Sequence, residues 1–193
     1  FVFSGMILYA AFAQTVNDAP HLIHGHQIYI KQLVFPTEIL SMVSVASSLF
    51  TLALSGLVLA AFYGWVHGMP PWTIVYLPLL LLPIVLLSLG MSWILSSLAV
   101  FLEDISHLVG IVTTALLFLS PIFYAADAVP SAWRGLYSMN PFAVILPMSK
   151  DVLFRGRAID LGMLARLLVA TWTIAWAGWI WFLKTRKSFA DVL

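Results

Sequence analysis

The chain has 193 residues, of which 62% are hydrophobic and only 9% charged, whereas soluble domains carry roughly 25% charged residues. With a mean hydropathy of +1.02, this is the composition of an all-α integral membrane protein and excludes an ordinary soluble domain. A net charge of +1, with Lys184, Arg186 and Lys187 as the basic cluster, gives no footing to nucleic acid, and the absence of cysteine excludes disulfides, thiolate chemistry and Cys-based metal sites.

The sequence opens at Phe1 inside an apolar run, without the basic region of a signal peptide, and reads as a fragment lacking its natural N-terminus. About 20 apolar residues cross a ~30 Å hydrocarbon core. Five segments are predicted to do so: Phe1 to Val16 (cut short), Ile39 to Val66, Trp72 to Leu102, Ile105 to Tyr124 and Leu161 to Leu183. The second and third are longer than the bilayer is thick at ~1.5 Å per residue, so they must tilt, kink or project. Pro78 and Pro83 predict a kink in the third, and His67 to Pro71 (HGMPP) is a tight turn between the two.

KQLVFPTEIL, residues 31 to 40, is a polar interruption with a helix-start signature. Pro36 disfavours helix at Phe35 and suits the first turn of a new one, and Glu38 then sits at the positive end of the helix dipole. Upstream, His21 to Phe35 reads as a short surface element or as an ordinary loop. Further along, Ser131 to Phe154 is apolar but broken at Asn140-Pro141 and at Pro147. Two half-helices entering the membrane from one face, hinged at Asn140-Pro141, satisfy its backbone if protein or water shields them.

Orientation is not fixed by charge. With the C-terminus inside, Lys31, Lys184, Arg186 and Lys187 balance Arg134, Lys150, Arg155 and Arg157 outside, although the tight KTRK cluster favours a cytoplasmic C-terminus.

Several residue patterns admit more than one chemistry. His21, His24 and His26 are either interfacial histidines or part of a metal shell, and Asp18 is the one carboxylate beside them. Two stripes at helical spacing, Ser41, Ser44, Ser48, Thr51, Ser55 and Ser88, Ser92, Ser96, are either close-packing surfaces or the hydroxyl lining of a path for a polar substrate. Ser92 with His107 as base is the candidate for an intramembrane hydrolase. Trp65, Trp72, Trp133, Trp179 and Trp181 fall near membrane borders, where aromatic belts form. Arg166, about one turn into the last span, either snorkels to the interface or meets an anionic substrate. No G-x-x-x-x-G-K-[ST] occurs, so any nucleotide-driven work needs a separate subunit.

Linked motifs then carry a resemblance over nearly the whole chain: KQLVFPTEIL, FLEDI (Phe101 to Ile105), LFLSPIFY (Leu117 to Tyr124), VPSAWRGLYSMNPF (Val129 to Phe142) and KTRKSFADVL (Lys184 to Leu193). Their order is similar to that of the ABC-2 type permeases that export polysaccharides (O-antigen, capsule and teichoic acid), with the strongest likeness to the O-antigen group. Gln32 stands where the family has a second lysine, and Glu103 where it has a basic residue.

The resemblance implies a single transmembrane domain over 1–193, with five of six spans present. It also implies external re-entrant gate helices and a homodimer working with a separate ABC ATPase that binds ATP and Mg. Lys31, Phe35, Pro36 and Glu38 would form the cytoplasmic loop that couples to the ATPase, and Glu103 and Asp104 the second cytoplasmic loop. Ser120, Pro121, Tyr124, Trp133, Arg134, Asn140 and Pro141 would belong to the external gate. Ser41, Ser44, Ser48, Ser88 and Ser92 are the candidate lining of the path. The expected function is export of a lipid-linked polysaccharide across the bacterial inner membrane, with no catalytic residue, metal or cofactor on this chain. The alternatives are an ABC-2 exporter of drugs or small lipids and the intramembrane hydrolase.

Overall fold

The computed structural model describes residues 2–26, 36–102, 104–124, 135, 137 and 140–189, and no strand occurs among them. Helix α1 spans Val2–His24 and α2 spans Glu38–His67. A 3-10 turn, Trp72–Tyr76, leads into α3, Leu77–Phe101. Then follow α4, Ile105–Leu119, and α5, Phe142–Lys150, which runs on as a π turn over Asp151–Arg155. The last helix, α6, covers Leu161–Thr185 and closes with a 3-10 turn at Arg186–Ser188.

Local chemistry sets the helix boundaries. The start of α2 follows Pro36: Ile39 N–H donates to the Pro36 carbonyl and Leu40 N–H to that of Thr37, both at 3.1 Å, and Glu38 lies in the first turn. Its end is Gly68, at φ +77°, a conformation glycine reaches without strain. Pro78 occupies the first turn of α3, where the missing N–H costs nothing. At the start of α6, Asp160 Oδ1 accepts from the N–H groups of Gly162 and Met163 at 2.9 and 3.0 Å, the arrangement of a helix N-cap.

Packing centres on α3, which touches α6 and α1 extensively and α2 and α4 less. Tyr9, Phe12, Ile84, Leu87, Val109, Phe142 and Ile145 join α1, α3, α4 and α5 in the main core. Tyr9 lies edge-on to Phe142 with ring centroids 5.0 Å apart. A second cluster, Ile23, Leu40, Trp93, Val100, Phe182 and Phe189, ties together the ends of α1, α2, α3 and α6. The α3/α6 crossing is backbone on backbone. A Cβ placed on Gly90 would lie 2.8 Å from Ala175 Cα, and one placed on Gly178 would collide with the Gly90 carbonyl oxygen. Small residues permit such approaches between membrane helices. Facing outward, Phe50, Leu57 and Trp65 of α2 and Val169, Trp172 and Trp176 of α6 are exposed, a surface compatible with lipid and not with water.

Among the described residues, three stretches are long and apolar enough to cross a membrane: Glu38–Val66, Trp72–Phe101 and Leu161–Ser188. The remaining two predicted segments differ from expectation. Helix α1 does not stop near Val16 but continues to His24, because Ala19, Pro20 and Ile23 keep burying its face. His21 and His24 therefore sit in its last turn rather than in a surface segment. Helix α4 ends at Leu119 instead of Tyr124, because Pro121 drives Ser120 into extended backbone (φ −89°, ψ 145°). Its 15 residues reach about 22 Å, short of a ~30 Å core.

Candidate functional site

Helices α1 to α4 alternate in direction, α5 continues in the direction of α4 and α6 returns, so that residues far apart in sequence gather at the same level of the bundle. At one end, Glu38 is the junction. Arg186 Nη1 donates to its Oε1 at 2.8 Å and its Oε2 at 2.9 Å, and Trp93 Nε1 donates to its backbone carbonyl at 3.2 Å. The Glu38 side chain is 15% exposed and that of Arg186 43%, so the pair straddles the surface. Beneath it, Trp93 meets Trp179 edge-on at 4.9 Å, Phe182 meets Phe189 at 5.6 Å, and Trp181 Nε1 donates to Ser97 Oγ at 2.8 Å. The start of α2 is thereby lashed to α3 and to the end of α6.

Pro36, next to this junction, is exposed. Lys31, Gln32, Phe35 and Glu103 lie outside the described residues. Asp104, also exposed, precedes α4 and caps it by conformation only, without a side-chain hydrogen bond. His24 shares a hydrogen bond with the Ala99 carbonyl at 3.0 Å and His26 one with the Leu22 carbonyl at 2.8 Å. Among the described residues no group of three His, Cys, Asp or Glu converges as metal ligands do.

At the other end, Asn140 plays the corresponding part. Its Oδ1 accepts from Phe142 N–H at 2.9 Å, and its Nδ2 donates to Ser120 Oγ at 3.0 Å. Ser120 in turn donates to the Leu116 carbonyl at 2.7 Å, so the first turn of α5 hangs from the end of α4. Lys150 Nζ reaches the Pro121 carbonyl at 2.8 Å, a second tie between the same elements. Partial burial lowers the Lys150 pKa from its ordinary value. Tyr124 donates to the Leu119 carbonyl at 2.8 Å. Thr73 Oγ1 donates to the Val152 carbonyl at 2.7 Å, which holds the turn after α2 against the end of α5. Trp133 and Arg134 lie outside the described residues. Of the two half-helices expected on either side of Asn140-Pro141, the second is α5, which Pro147 does not break, and the first lies, apart from residues 135 and 137, outside the described residues.

Most of the two stripes is buried: Ser41, Ser44, Ser48, Ser88, Ser92 and Ser96 are each 8% exposed or less, whereas Ser55 is half-buried and Thr51 exposed. Thr15 Oγ1 donates to Ser48 Oγ at 2.8 Å, so part of the α2 stripe packs on α1. Ser44 Oγ and Ser92 Oγ have no hydrogen-bond partner among the described residues. Among the described residues no base is hydrogen-bonded to Ser92, and His107 is exposed on α4.

Sequence reasoning had singled out Glu38, Ser120 and Asn140 but not the residues that hold them. In the sequence Arg186 is only one member of a basic cluster and Lys150 only a charge, and neither Gly90 nor Gly178 stands out as a helix contact. The small pair Ala175 and Gly178, three residues apart in an apolar helix, is the signal that could have pointed to the crossing.

The profile of the ABC-2 type transporter family matches residues 1–154. Similar proteins include the O-antigen export system permease protein RfbA of Myxococcus xanthus, 24% identical over 194 residues, covering 99% of this chain and 74% of the relative. Two O-antigen export system permease proteins RfbA from Klebsiella pneumoniae are also 24% identical, over 198 residues, covering all of this chain and 74% of theirs.

Proposed function

Because the chain belongs to the ABC-2 type transporter family, we propose that it is the membrane permease subunit of an ATP-driven exporter that moves lipid-linked polysaccharide of the O-antigen class across the bacterial inner membrane. The observation that carries this reading is its similarity, end to end, to three permeases named for O-antigen export. ATP and Mg belong to a separate ABC ATPase, and two copies of the permease enclose the path. The C-terminus and the Glu38 end face the cytoplasm, and the Asn140 end faces outward.

In this reading the segment from Lys31 to Glu38 takes the push of the ATPase, with Asp104 beside it in the second cytoplasmic loop. Glu38 is bonded to Arg186 and carries the Trp93 hydrogen bond, so a displacement there is shared by α2, α3 and α6 instead of being lost in a loose loop. Coupling further requires that the two nucleotide states of the ATPase contact this segment differently. At the outer end, the Ser120, Pro121, Tyr124, Asn140 and Pro141 assembly gates release, together with Trp133 and Arg134. The buried serines Ser41, Ser44, Ser48, Ser88 and Ser92 line the path only if the helices part.

The test is export in cells lacking the native permease. Co-expressed with its ATPase, the protein should restore surface display of the glycan, and Pro36→Ala with Glu38→Ala should impair both display and stimulation of the ATPase. Restored efflux of a drug or small lipid without glycan display would favour the other exporter class.

A further inference from the structure

A groove of about 450 Å³ lies between the start of α5 and the outer part of α6, bordered by Asn140, Val144, Met163, Arg166, Thr171 and Ile174. Its walls are apolar except at three points, and one of these is a full positive charge. Arg166 makes no hydrogen bond or ion pair among the described residues. The described carboxylates at this end are committed elsewhere: Asp151 bonds Arg155 at 2.8 Å, and Asp160 caps α6. The described charges at this end are Lys150, Arg155, Arg157 and Arg166 against Asp151 and Asp160, an excess of positive charge.

The groove also contains hydrogen-bonding capacity. Asn140 is 7% exposed, and its Nδ2 carries two hydrogens, of which Ser120 takes one. Thr171, 1% exposed, donates to the Leu167 and Leu168 carbonyls and keeps acceptor capacity. The first amides of α5 are already used, Phe142 N–H by Asn140 Oδ1 and Ala143 N–H by the Asn140 carbonyl, so the guanidinium is the principal free donor. Arg166 stands five residues into α6, about 7 Å along its axis. The apolar stretch Leu161–Ser188 has 28 residues, about 42 Å, and overruns a ~30 Å core; with the excess shared between its ends, Arg166 lies at the border of core and headgroups.

A planar, permanently charged fork at that depth, beside an amide N–H and facing an apolar groove, matches an amphiphile with a phosphate head and a hydrocarbon tail. We propose that this groove is a phosphate-binding site in which Arg166 holds the phosphate or diphosphate head of a lipid while Val144, Met163 and Ile174 contact its chain. The assignment rests on the export reading for its orientation toward the outer leaflet, and under that reading it is where the lipid carrier's head rests as it leaves.

The experiment measures equilibrium binding of farnesyl diphosphate, farnesol and a short-chain phosphatidylglycerol to the detergent-purified protein. Arg166→Gln should weaken farnesyl diphosphate binding at least tenfold and leave farnesol unchanged. Arg166→Lys should recover only part of the loss, because a snorkelling cation would be served equally well by lysine whereas a bidentate phosphate contact would not. Met163→Glu, which sets a carboxylate in the groove without touching Arg166, should weaken the same ligand, and this second variant keeps the test decisive if Arg166→Gln unfolds. Displacement by phosphatidylglycerol at equal concentration supports the site and identifies its ligand as bilayer lipid; selectivity for the diphosphate supports the site and identifies the exported carrier. Binding within twofold of the parent in both Arg166→Gln and Met163→Glu overturns the proposal. No ATPase or glycan enters this measurement, so a protein that binds diphosphate through Arg166 yet exports no glycan would reject the export reading and leave the site standing.

Discussion

Glu38 and Arg186, 148 residues apart, are joined by two hydrogen bonds from a single guanidinium nitrogen. That pair fixes the start of α2 to the end of α6. Half-exposed ion pairs contribute roughly 0 to 1 kcal/mol, so its weight lies in geometry more than in stability. Glu38→Ala or Arg186→Ala should each lower stability by about 1 kcal/mol or less while reducing ATPase stimulation several-fold. The charge exchange Glu38→Arg with Arg186→Glu should recover a good part of that stimulation. Equal stimulation in all variants would detach the pair from coupling.

The Gly90 and Gly178 crossing predicts a sharp difference between glycines. Gly178→Ala drives a Cβ into the Gly90 backbone, and backbone cannot swing aside as a side chain can. Overpacking of this kind costs roughly 1–3 kcal/mol. Gly56 on α2 has nothing within 4 Å of the same atom and borders an apolar cavity of about 150 Å³. Gly56→Ala should therefore leave the thermal midpoint of the detergent-solubilised protein level or raise it, while Gly178→Ala lowers it.

Asn140 serves two partners while buried. Asn140→Ala strands the Phe142 N–H and removes the Ser120 bond, at about 1–3 kcal/mol for an unsatisfied buried group. Ser120→Ala strands one Asn140 amide hydrogen and takes the hydroxyl donor from the Leu116 carbonyl, but it leaves the Phe142 N–H bonded to Asn140 Oδ1. Hydrogen exchange should report the loss locally, with faster exchange in Phe142 to Ile145 and little change at the Glu38 end.

Ser44 and Ser92 separate three uses of a buried hydroxyl. Neither has a partner among the described residues, so alanine removes a desolvated polar atom with no hydrogen bond lost among them and should be neutral or stabilising by about 1 kcal/mol. Ser48→Ala, which takes away the Thr15 contact, should instead destabilise. If the hydroxyls line a transport path, Ser44→Ala and Ser92→Ala change export rate at unaltered stability. If Ser92 is a nucleophile, its alanine variant abolishes a hydrolytic activity.

What the sequence made legible was what one segment decides for itself. Pro36 and Glu38 mark the start of α2, Asn140-Pro141 marks the start of α5, and the long apolar runs mark α2, α3 and α6. The end of α4 was misplaced by five residues, since Tyr124 is as apolar as its neighbours and the backbone restriction from Pro121 acts through conformation, not hydropathy. The length of α1 was missed because His21 and His24 look polar in one dimension, while Ala19, Pro20 and Ile23 are buried only once α1 packs on its neighbours. The Glu38 to Arg186 pair and the Gly90 to Gly178 contact join distant segments, and hydrophobic patterning carries no information about which helix meets which.

The bare crossing at Gly178 also has the mechanics of a fulcrum. Along α6, about 12 Å separate Gly178 from Arg186 and about 18 Å separate it from Arg166, at 1.5 Å per residue. Backbone contact there leaves α6 no room to move closer to α3, so a movement that keeps the contact is a tilt about it, worked against the Trp93 and Trp179 ring pair and the Trp181 to Ser97 bond. Any tilt of α6 about that point moves its Arg166 end opposite to its Arg186 end and about one and a half times as far, so a small pull at one face of the membrane becomes a larger swing at the other.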